Sequence, residues 1–368
     1  MSKPDRSGRP QPLPGLADIA PYVPGKAGAG HRVWKLSANE SALGASPAAM
    51  AAAREAVGDI HVYPDGAARD LKAAIAEVER LDVERLIIGS GSDEILQMLI
   101  RAYAAPGEQI LQSAHGFSYY HIAAAAVRVG TVFVPEQNLT ADVDAMVAAV
   151  TPRVRMVFLA NPNNPTGTVV PSNELRRLRE ALPPNVMLVL DGAYAEYITD
   201  SDYTDGRDMV DEATAPGAGN VIMTRTFSKI YGLGGARVGW AYGPPEVISI
   251  LERIRPPFNI TVPSLKAAEA AIRDQAFMQE NRAFTLEERQ RLAESLKTLG
   301  YPVIPSHANF MTFEMPSADQ ARALMAHLEA RGVIIRSAAS SGLPSHLRVT
   351  VGPREATDAF LDGLKAFR

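Results

Sequence analysis

The chain contains no cysteine, and this absence excludes several kinds of chemistry at once. Without a thiol, a protein has no disulfide bond, no thiolate metal ligand and no cysteine nucleophile. The seven histidines show neither an HExxH motif nor a comparable metal-ligand spacing, so the sequence predicts no metal site. Any catalysis therefore rests on other residue types.

Long apolar runs and a strong charge of one sign are also absent. No run approaches the roughly 18 apolar residues that a membrane helix needs. The first fifteen residues are polar and proline-rich, so they predict a flexible tail and not a signal peptide. The net charge is -4 without a basic block, which gives no reason to expect nucleic-acid binding.

The composition is that of an ordinary globular protein. Hydrophobic residues make up 46% of the chain and charged residues 21%. A length of 368 residues allows two domains, or one large and one small. From these features we expect a cytoplasmic enzyme.

The most informative stretch runs from Thr224 to Trp240, after an apolar run that predicts a buried strand. Lys229 has largely apolar or aromatic neighbours there, and such surroundings disfavour the charged form of a lysine. A neutral lysine amine is a nucleophile that forms a Schiff base with an aldehyde. The glycines that follow let backbone approach a bulky ligand, and Ser228 and Arg237 can bind a phosphate. The alternative is a surface lysine in a loop.

A second candidate site lies where the predicted strand Leu86 to Ile88 runs through a glycine-serine turn into an apolar helix. Free backbone N–H groups at a helix start bind anions, so Ser92 and Asp93 mark a phosphate site. A dinucleotide fingerprint is a poor match because Glu94 stands where its third glycine would be. A serine-capped helix without a ligand is the other alternative.

Further predicted strands end at polar or turn-forming residues. Val154 to Leu159 stops at the turn that begins with Asn161, and Val186 to Leu190 runs into Asp191. In an open α/β sheet, groups just past strand carboxyl ends collect at one edge, where ligands bind. The strand ends at Gly89, Asn161, Asp191 and Thr224 therefore predict an α/β fold with one ligand site.

Helix signals flank these strands. Ser46 and Pro47 predict a helix that ends near Gly58, and Asp70 to Arg80 predicts another. The C-terminal part mixes helices and strands, with predicted strands at Val303 to Phe313, Val333 to Arg336 and Leu347 to Val351, and helices up to Thr298, at Ala318 to Arg331 and at Arg354 to Phe367. We predict an N-terminal tail and arm at 1–44 that packs with the small domain, a large domain at 45–257 and a small C-terminal domain at 258–368.

Arg348 is a candidate anion-binding residue of the small domain. Alternation in its strand places Leu347, Val349 and Val351 on one face and Arg348 on the other. An arginine facing away from its own core can clamp a carboxylate or a phosphate. A solvated strand arginine is the alternative.

The chain resembles the fold-type I pyridoxal-phosphate aminotransferases, because Asn164, Asp191, Tyr194, Lys229 and Arg237 occur in the order of that family. The resemblance implies a large domain with a mostly parallel sheet flanked by helices and a smaller α+β domain. It implies that Lys229 holds the cofactor covalently and that Asp191 keeps the cofactor ring nitrogen protonated. Asn164 and Tyr194 would bind the phenolic oxygen of the ring.

Other cofactor contacts follow from the same resemblance. Ser228 and Arg237 would bind the cofactor phosphate, and Phe117 would stack on the ring. The pair His115-Gly116 replaces the usual Pro-Thr before that aromatic, and Gly192 replaces the usual glutamate after the aspartate. The role of His115 stays open.

Within this group the chain resembles the histidinol-phosphate aminotransferase family most. The segments that carry this resemblance are Pro21 to Lys26, Leu36 to Glu40, Tyr63 to Gly66, Gly89 to Ile95, Ser306 to Phe310 and Arg348 to Gly352. The resemblance implies a homodimer in which Tyr63 reaches the partner's cofactor phosphate. It assigns substrate binding to Tyr22, Asn39, Asn164, Arg336 and Arg348, and leaves open whether His307 contacts substrate.

The implied reaction is ping-pong transamination of L-histidinol phosphate with 2-oxoglutarate, a step of histidine biosynthesis. Lys229, displaced by the substrate amine, would move a proton from the substrate α-carbon as base and then as acid. Alternatives are an aromatic amino-acid aminotransferase acting on phenylalanine or tyrosine and a pyridoxal-phosphate-dependent phosphothreonine decarboxylase. A non-catalytic sensor fused to a DNA-binding module is disfavoured, since the segment before Tyr22 is short and no basic patch occurs.

Overall fold

The computed structural model describes residues 33–212 and 221–367, together with Leu16 and Ile19. The predicted N-terminal tail and Tyr22 lie outside these described residues. Fifteen strands occur in the described part: β1 (Trp34–Lys35), β2 (Leu86–Gly89), β3 (Gln109–Ser113), β4 (Gly130–Val134), β5 (Glu136–Gln137), β6 (Thr140–Ala141), β7 (Val154–Ala160), β8 (Met187–Asp191), β9 (Val221–Thr226), β10 (Gly239–Tyr242), β11 (Val303–Ile304), β12 (Phe310–Glu314), β13 (Val333–Ile334), β14 (Arg336–Ser337) and β15 (His346–Thr350).

Twelve α-helices connect these strands within the described residues. They are α1 (Pro47–Ala56), α2 (Arg69–Glu79), α3 (Ser92–Tyr103), α4 (Tyr119–Ala126), α5 (Val143–Ala148), α6 (Ser172–Ala181), α7 (Arg207–Glu212), α8 (Pro245–Ile254), α9 (Val262–Arg273), α10 (Gln275–Thr298), α11 (Ala318–Ala330) and α12 (Arg354–Ala366). None of these described helices is both long and apolar enough to cross a bilayer. Ser46 caps α1 as predicted, since its hydroxyl accepts the Ala49 N–H at 3.1 Å.

A seven-stranded sheet in the order β2-β10-β9-β8-β7-β3-β4 forms the centre of the large unit. The neighbours from β9 to β4 pair in parallel, whereas β10 is antiparallel to both β9 and β2. Helices cover both faces, as crossover connections between parallel strands require. The predicted fold class, a mostly parallel sheet flanked by helices with a smaller α+β unit, is confirmed.

Alternation along the strands divides the core of the large unit into two layers. Leu188 and Leu190 of β8 face one layer, whereas Met187 and Val189 face the other. Because both faces are buried, these strands are mostly apolar, although β7 contains Arg155 and β9 ends with Thr224, Arg225 and Thr226. The carboxyl ends of β2, β7, β8 and β9 meet at one edge of the sheet.

The smaller unit is built on an antiparallel sheet in the order β11-β12-β15-β14. Leu347, Val349 and Val351 enter its apolar core, as the alternation in β15 predicted. The short strand β1 pairs in parallel with β13 of this unit. Helix α9 packs against α1 and α2 of the large unit. The division at 44/45 and 257/258 stays a proposal: the small unit has its own apolar core, whereas Ala267, Ala268 and Ala271 of α9 belong to the core of the large unit.

Two strand predictions in the small unit were wrong. The predicted strand Val303 to Phe313 is a hairpin, in which Val303 of β11 pairs with Phe313 of β12. Pro305 has no N–H for a strand ladder, and residues 305–309 form the turn. The predicted strand Val333 to Arg336 is likewise split into β13 and β14, which belong to different sheets.

Candidate active site

The strand ends enclose a pocket at the edge of the large sheet. Its lining contains every residue predicted to bind the cofactor except Tyr63. The full set is Ser92, Asp93, Phe117, Ala160, Pro162, Asn164, Asp191, Ala193, Tyr194, Thr226, Ser228, Lys229 and Arg237. The structure therefore brings together residues that lie up to 145 positions apart, since Ser92 and Arg237 both line it.

Lys229 lies in the turn after β9 and is half-buried. Its ammonium group donates a hydrogen bond to the Ala38 carbonyl at 3.3 Å. It also lies 5.7 Å from the centre of the Tyr194 ring. The nitrogen is thus held over the pocket by a neutral acceptor and an aromatic face, and no carboxylate among the described residues forms a salt bridge with it.

Asp191 ends β8 and is buried at the base of the pocket. Its carboxylate accepts hydrogen bonds from the Tyr120 hydroxyl at 2.7 Å, the Ala193 N–H at 3.2 Å and the Thr224 hydroxyl at 3.3 Å. All three donors are neutral, and burial raises the pKa of Asp191 to about 6. A buried carboxylate without a cationic partner is suited to hold a proton on a ligand nitrogen.

The opposite end of the pocket is suited to an anion. Helix α3 begins at Ser92, with its free N–H groups at the pocket, and Arg237 donates to the Ser228 hydroxyl at 3.3 Å. Arg237 also lies 3.3 Å from a carboxylate oxygen of Asp93. Gly91 has a φ of 76°, a conformation that favours glycine, and a Cβ there would lie 2.6 Å from the end of the Arg237 side chain, which would have to move. Together these groups form a cradle for a phosphate.

Aromatic side chains form one wall of the pocket. Phe117 lines the pocket and packs edge-on against Tyr120, with ring centres 5.4 Å apart. Tyr120 was not predicted to be a partner of Asp191, although it stands in the same aromatic run after β3. Thr224 was not predicted either, because the position of a residue in a strand does not indicate its side-chain partner.

Arg348 of the small unit does not line the pocket but contacts Asn164, which does. Its guanidinium donates to the Asn164 side-chain oxygen at 2.5 Å and to the Ser37 carbonyl at 2.9 Å, and lies 5.2 Å from the centre of the Phe310 ring. Arg336 stands directly opposite Arg348 in the β14–β15 pair. Two arginines thus lie side by side where a substrate anion is predicted.

Other predicted residues lie away from the pocket lining. Tyr63 is 78% exposed and stacks on Phe258, with ring centres 4.5 Å apart. Asn39 is buried, and its amide donates to the Tyr194 hydroxyl at 2.8 Å. Their cofactor and substrate roles stay predictions.

The two histidines left open by the sequence do not line the pocket. A ring nitrogen of His115 forms a 2.6 Å hydrogen bond with the Ser341 carbonyl of the small unit. His307 donates its backbone N–H to the Gly167 carbonyl at 2.8 Å, and burial lowers the pKa of its ring. Both therefore have contacts that serve the fold.

The residues of the pocket fit pyridoxal phosphate. A planar ring with a protonated nitrogen would supply the missing cation beside Asp191, and its phosphate would enter the cradle of α3, Ser228 and Arg237. The lysine required for covalent attachment lies between these two ends. No part of this set conflicts with the cofactor that the resemblance implied.

Comparison with known proteins supports the same conclusion. Residues 31–364 match the model of the family described as aminotransferase class I and II. The chain is 46% identical to a histidinol-phosphate aminotransferase of Rhodopseudomonas palustris (strain TIE-1), over 98% of each chain. It is 48% identical to one from Dinoroseobacter shibae, over 97% of this chain and 98% of the other.

A solved structure shows the same architecture over nearly the whole length. Histidinol-phosphate aminotransferase from Sinorhizobium meliloti, in complex with pyridoxal 5'-phosphate, matches with a TM-score of 0.90 and 28% sequence identity. The match covers 99% of this chain and 100% of the other. Motif order, pocket and overall fold thus agree, and the chain belongs to the class I and II aminotransferases.

Proposed function

We propose that the chain is a pyridoxal-phosphate-dependent aminotransferase that converts L-histidinol phosphate with 2-oxoglutarate, a step of histidine biosynthesis. The arrangement that carries the chemistry is Lys229 between the buried carboxylate of Asp191 and the anion cradle of Arg237. The substrate is supported by near-full-length relatives at 44–48% identity, which are named histidinol-phosphate aminotransferases.

The cofactor supplies an electron sink for the negative charge that develops at the substrate α-carbon. With the cofactor bound, Asp191 would hold the proton on the ring nitrogen through its negative charge, and Asn164 and Tyr194 would bind the phenolic oxygen. The Lys229 amine would act as the base that takes the proton from the substrate α-carbon and then as the acid that returns it. Its half-buried position above the pocket suits a proton carrier that must move over a short distance.

The substrate anion is assigned to Arg348, assisted by Arg336 and Tyr22. Arg348 presents a planar fork of donors, which suits a phosphate or a carboxylate equally. Transamination of phenylalanine or tyrosine and decarboxylation of phosphothreonine are therefore compatible with this residue alone. The identity of the relatives favours histidinol phosphate over both.

A homodimer is part of the proposal. Tyr63 faces away from the pocket of its own chain and is 78% exposed. Val57, Ile60 and Val62 nearby are also more than half exposed, so an apolar surface surrounds the tyrosine. A second copy that covers this surface would receive Tyr63 at its own cofactor phosphate. The cytoplasmic location stays a prediction from composition.

Half-reaction spectroscopy tests the substrate. The purified protein with bound cofactor is mixed with histidinol phosphate, phenylalanine or phosphothreonine in the absence of a keto acid, and loss of the visible cofactor band is followed. We expect fast loss with histidinol phosphate and a much slower change with the other two. Equal rates with phenylalanine, or carbon dioxide release from phosphothreonine, would contradict the proposed substrate.

Replacement of Lys229 tests the assignment of the site itself. Lys229→Ala should abolish transamination and the visible band of the lysine-bound cofactor. Lys266→Ala is the matched control, because Lys266 lies at the surface in salt bridges with Asp70 and Glu269. A Lys229→Ala enzyme that turns over near the wild-type rate would refute the function as proposed.

A further inference from the structure

The segment from Ser37 to Asn39 contacts in succession Arg348 of the small unit and two residues that line the pocket, Lys229 and Tyr194. The Ser37 carbonyl accepts from Arg348 at 2.9 Å and the Ala38 carbonyl accepts from Lys229 at 3.3 Å. The Asn39 amide donates to the Tyr194 hydroxyl at 2.8 Å. Ser37 and Ala38 use backbone carbonyls, whereas Asn39 uses its side chain. A substitution of Asn39 therefore changes this contact and leaves the backbone carbonyls of the segment in place.

The orientation of the Asn39 amide is determined by Thr350. The Thr350 hydroxyl oxygen accepts the backbone N–H of Asn39 at 3.0 Å and lies 3.3 Å from the Asn39 side-chain oxygen. Because the hydroxyl accepts one hydrogen bond from Asn39, its own proton is free to be donated to that side-chain oxygen. The amide nitrogen of Asn39 must then face Tyr194.

The backbone of Asn39 is adapted to this position. Its φ angle is 56°, in the left-handed region that asparagine adopts more readily than most residues. Asn309 donates to the Asn39 carbonyl at 3.0 Å, and the side chain is 1% exposed. The residue is therefore fixed on both sides before any ligand binds.

The contact determines where the Tyr194 proton points. The Tyr194 oxygen accepts from Asn39, so its hydroxyl proton must be directed at another acceptor. Within the described part of the chain, no protein group accepts that proton, and Tyr194 lines the pocket. The proton is thus directed into the space where the cofactor's phenolic oxygen is proposed to lie.

We infer that Asn39, oriented by Thr350, is a positioning residue that directs the Tyr194 hydroxyl proton toward the phenolic oxygen of the cofactor. The inference rests on the proposed function. It also links the two units of the fold, because Thr350 lies on β15, two residues after Arg348. The strand that carries the substrate-binding arginine thereby also orients the donor to the cofactor.

The test is a pH titration of the visible band of the lysine-bound cofactor, which does not depend on turnover. A hydrogen bond to the phenolic oxygen favours its charged form, so loss of that bond changes the pH at which the band titrates. Thr350→Val removes the orienting hydroxyl without adding a charge. Asn39→Asp replaces the donor with an acceptor, which would draw the Tyr194 proton away from the pocket.

We expect the titration midpoint to rise by about one unit in Asn39→Asp and by a smaller amount in Thr350→Val. Thr350→Ser keeps the hydroxyl and should restore the wild-type midpoint. Thr357→Val is the matched control, since it removes a buried hydroxyl on α12 that has no hydrogen-bond partner among the described residues. Lys229, Asp191 and Arg237 are unchanged in all variants, so their charges do not contribute to the difference.

The outcomes separate this inference from the proposed function. Unchanged midpoints in Asn39→Asp and Thr350→Val, with only a lower melting temperature, would show a merely structural role and overturn the inference. A midpoint that shifts equally in Thr357→Val would overturn it as well. Absence of a visible band in the wild-type protein with pyridoxal phosphate would instead refute the proposed function.

Discussion

At the scale of single residues, Asp191 combines a functional requirement with a cost in stability. It is buried, its donors are neutral, and burial raises its pKa to about 6 from an ordinary value of 3.8. The folded protein therefore holds the proton more tightly than the unfolded chain does. Ionisation of Asp191 destabilises the cofactor-free fold as the pH rises from about 4 through 6, and the full cost is present above that range.

Asp191→Asn should consequently have opposite effects on activity and on stability. Transamination should fall by a factor of about a hundred or more, because the ring nitrogen loses the carboxylate that keeps it protonated. The cofactor-free variant should be more stable than wild type at pH 8 by about 2 to 3 kcal/mol, and the gain should shrink toward pH 5. Thermal unfolding at matched protein concentration across this pH range measures the second effect.

The control for this prediction is Asp362→Asn on helix α12. The Asp362 side chain is 74% exposed and pairs only with Lys365 three residues on, so its removal should change stability by less than about 1 kcal/mol at any of these pH values. If Asp191→Asn were less stable than wild type at pH 8, the cost of burying the Asp191 charge would not be the main effect of this residue on the stability of the cofactor-free protein.

At the scale of elements, the turn after β8 depends on an arginine of the neighbouring strand. A Cβ on Gly192 would lie 3.2 Å from the Arg225 side chain and 3.2 Å from the Thr224 carbonyl. Arg225 thus occupies the space beside the turn, where the related aminotransferases commonly have a glutamate at the position of Gly192. It forms salt bridges with Glu196 at 2.9 Å and Asp205 at 2.5 Å, and all three side chains are nearly inaccessible.

These three charges stabilise the segment that carries Asp191 and Tyr194. Burial raises the pKa of Glu196 to about 7, whereas Arg225 and Arg207 hold the pKa of Asp205 well below its usual range against the opposing effect of burial. The arginine is therefore the partner on which both buried carboxylates depend.

Arg225→Met should destabilise the protein by about 3 to 5 kcal/mol, because the buried carboxylates of Glu196 and Asp205 would lose the guanidinium that both of them contact. The double variant Arg225→Met/Glu196→Gln should recover part of the loss, since it removes one of the unpaired charges. Arg322→Met is the control, as its side chain is 71% exposed. Denaturant unfolding compares the four proteins, and a fully stable Arg225→Met variant would show that the network does not stabilise the turn.

The elements that the sequence predicted well are those defined by local patterns. Buried parallel strands are rich in apolar residues, so the ends near Asn161 and Asp191 were predicted correctly, whereas β9 continues past the predicted end at Thr224 to Thr226. The pocket followed from the convergence of these strand ends. The hairpin of β11 and β12 was missed although turn-forming residues, Pro305, Ser306 and Asn309, separate its two strands. The two halves of the predicted strand Val333 to Arg336 form β13 and β14 because they pair in different sheets, and the local sequence does not indicate this pairing.

Contacts between distant residues could not be predicted in the same way. Tyr120 and Asp191 are 71 residues apart, and Asn39 and Tyr194 are 155 apart. Neither tyrosine carries a local pattern that names its partner, because the packing of whole elements determines which side chains meet. Lys229, Ser228 and Arg237 were predicted from their local surroundings, whereas the cofactor roles of Asn164, Asp191 and Tyr194 came from the resemblance.

At the scale of the whole molecule, the segment at residues 34–39 ties the two units together. Strand β1 pairs with β13, Leu36 donates to the Ile334 carbonyl at 2.8 Å and its carbonyl accepts from Thr350 at 2.9 Å. Ala38 and Asn39 then contact Lys229 and Tyr194 in the pocket of the large unit, while Ser37 accepts from Arg348 of the small unit. In the proposed homodimer, Tyr63 of a second copy would complete the pocket.

Mixed dimers can determine whether Tyr63 serves its own pocket or that of its partner. One chain carries Lys229→Ala and the other carries Tyr63→Phe, with different affinity tags so that the mixed species is purified. If Tyr63 reaches the partner, one site of the mixed dimer combines an intact Lys229 with an intact Tyr63, and the other site carries both changes. We then expect about half the wild-type activity, with wild-type cofactor affinity at the active site.

The opposite arrangement gives a different result. If Tyr63 served its own chain, each site of the mixed dimer would carry one of the two changes, and activity would not exceed half that of the Tyr63→Phe homodimer. The position of Tyr63 favours the first outcome, because its ring is 78% exposed and rests on Phe258 outside the pocket of its own chain. Tyr301→Phe replaces Tyr63→Phe in the control pair, since Tyr301 packs on Phe313 in the small unit and should give half activity in either arrangement.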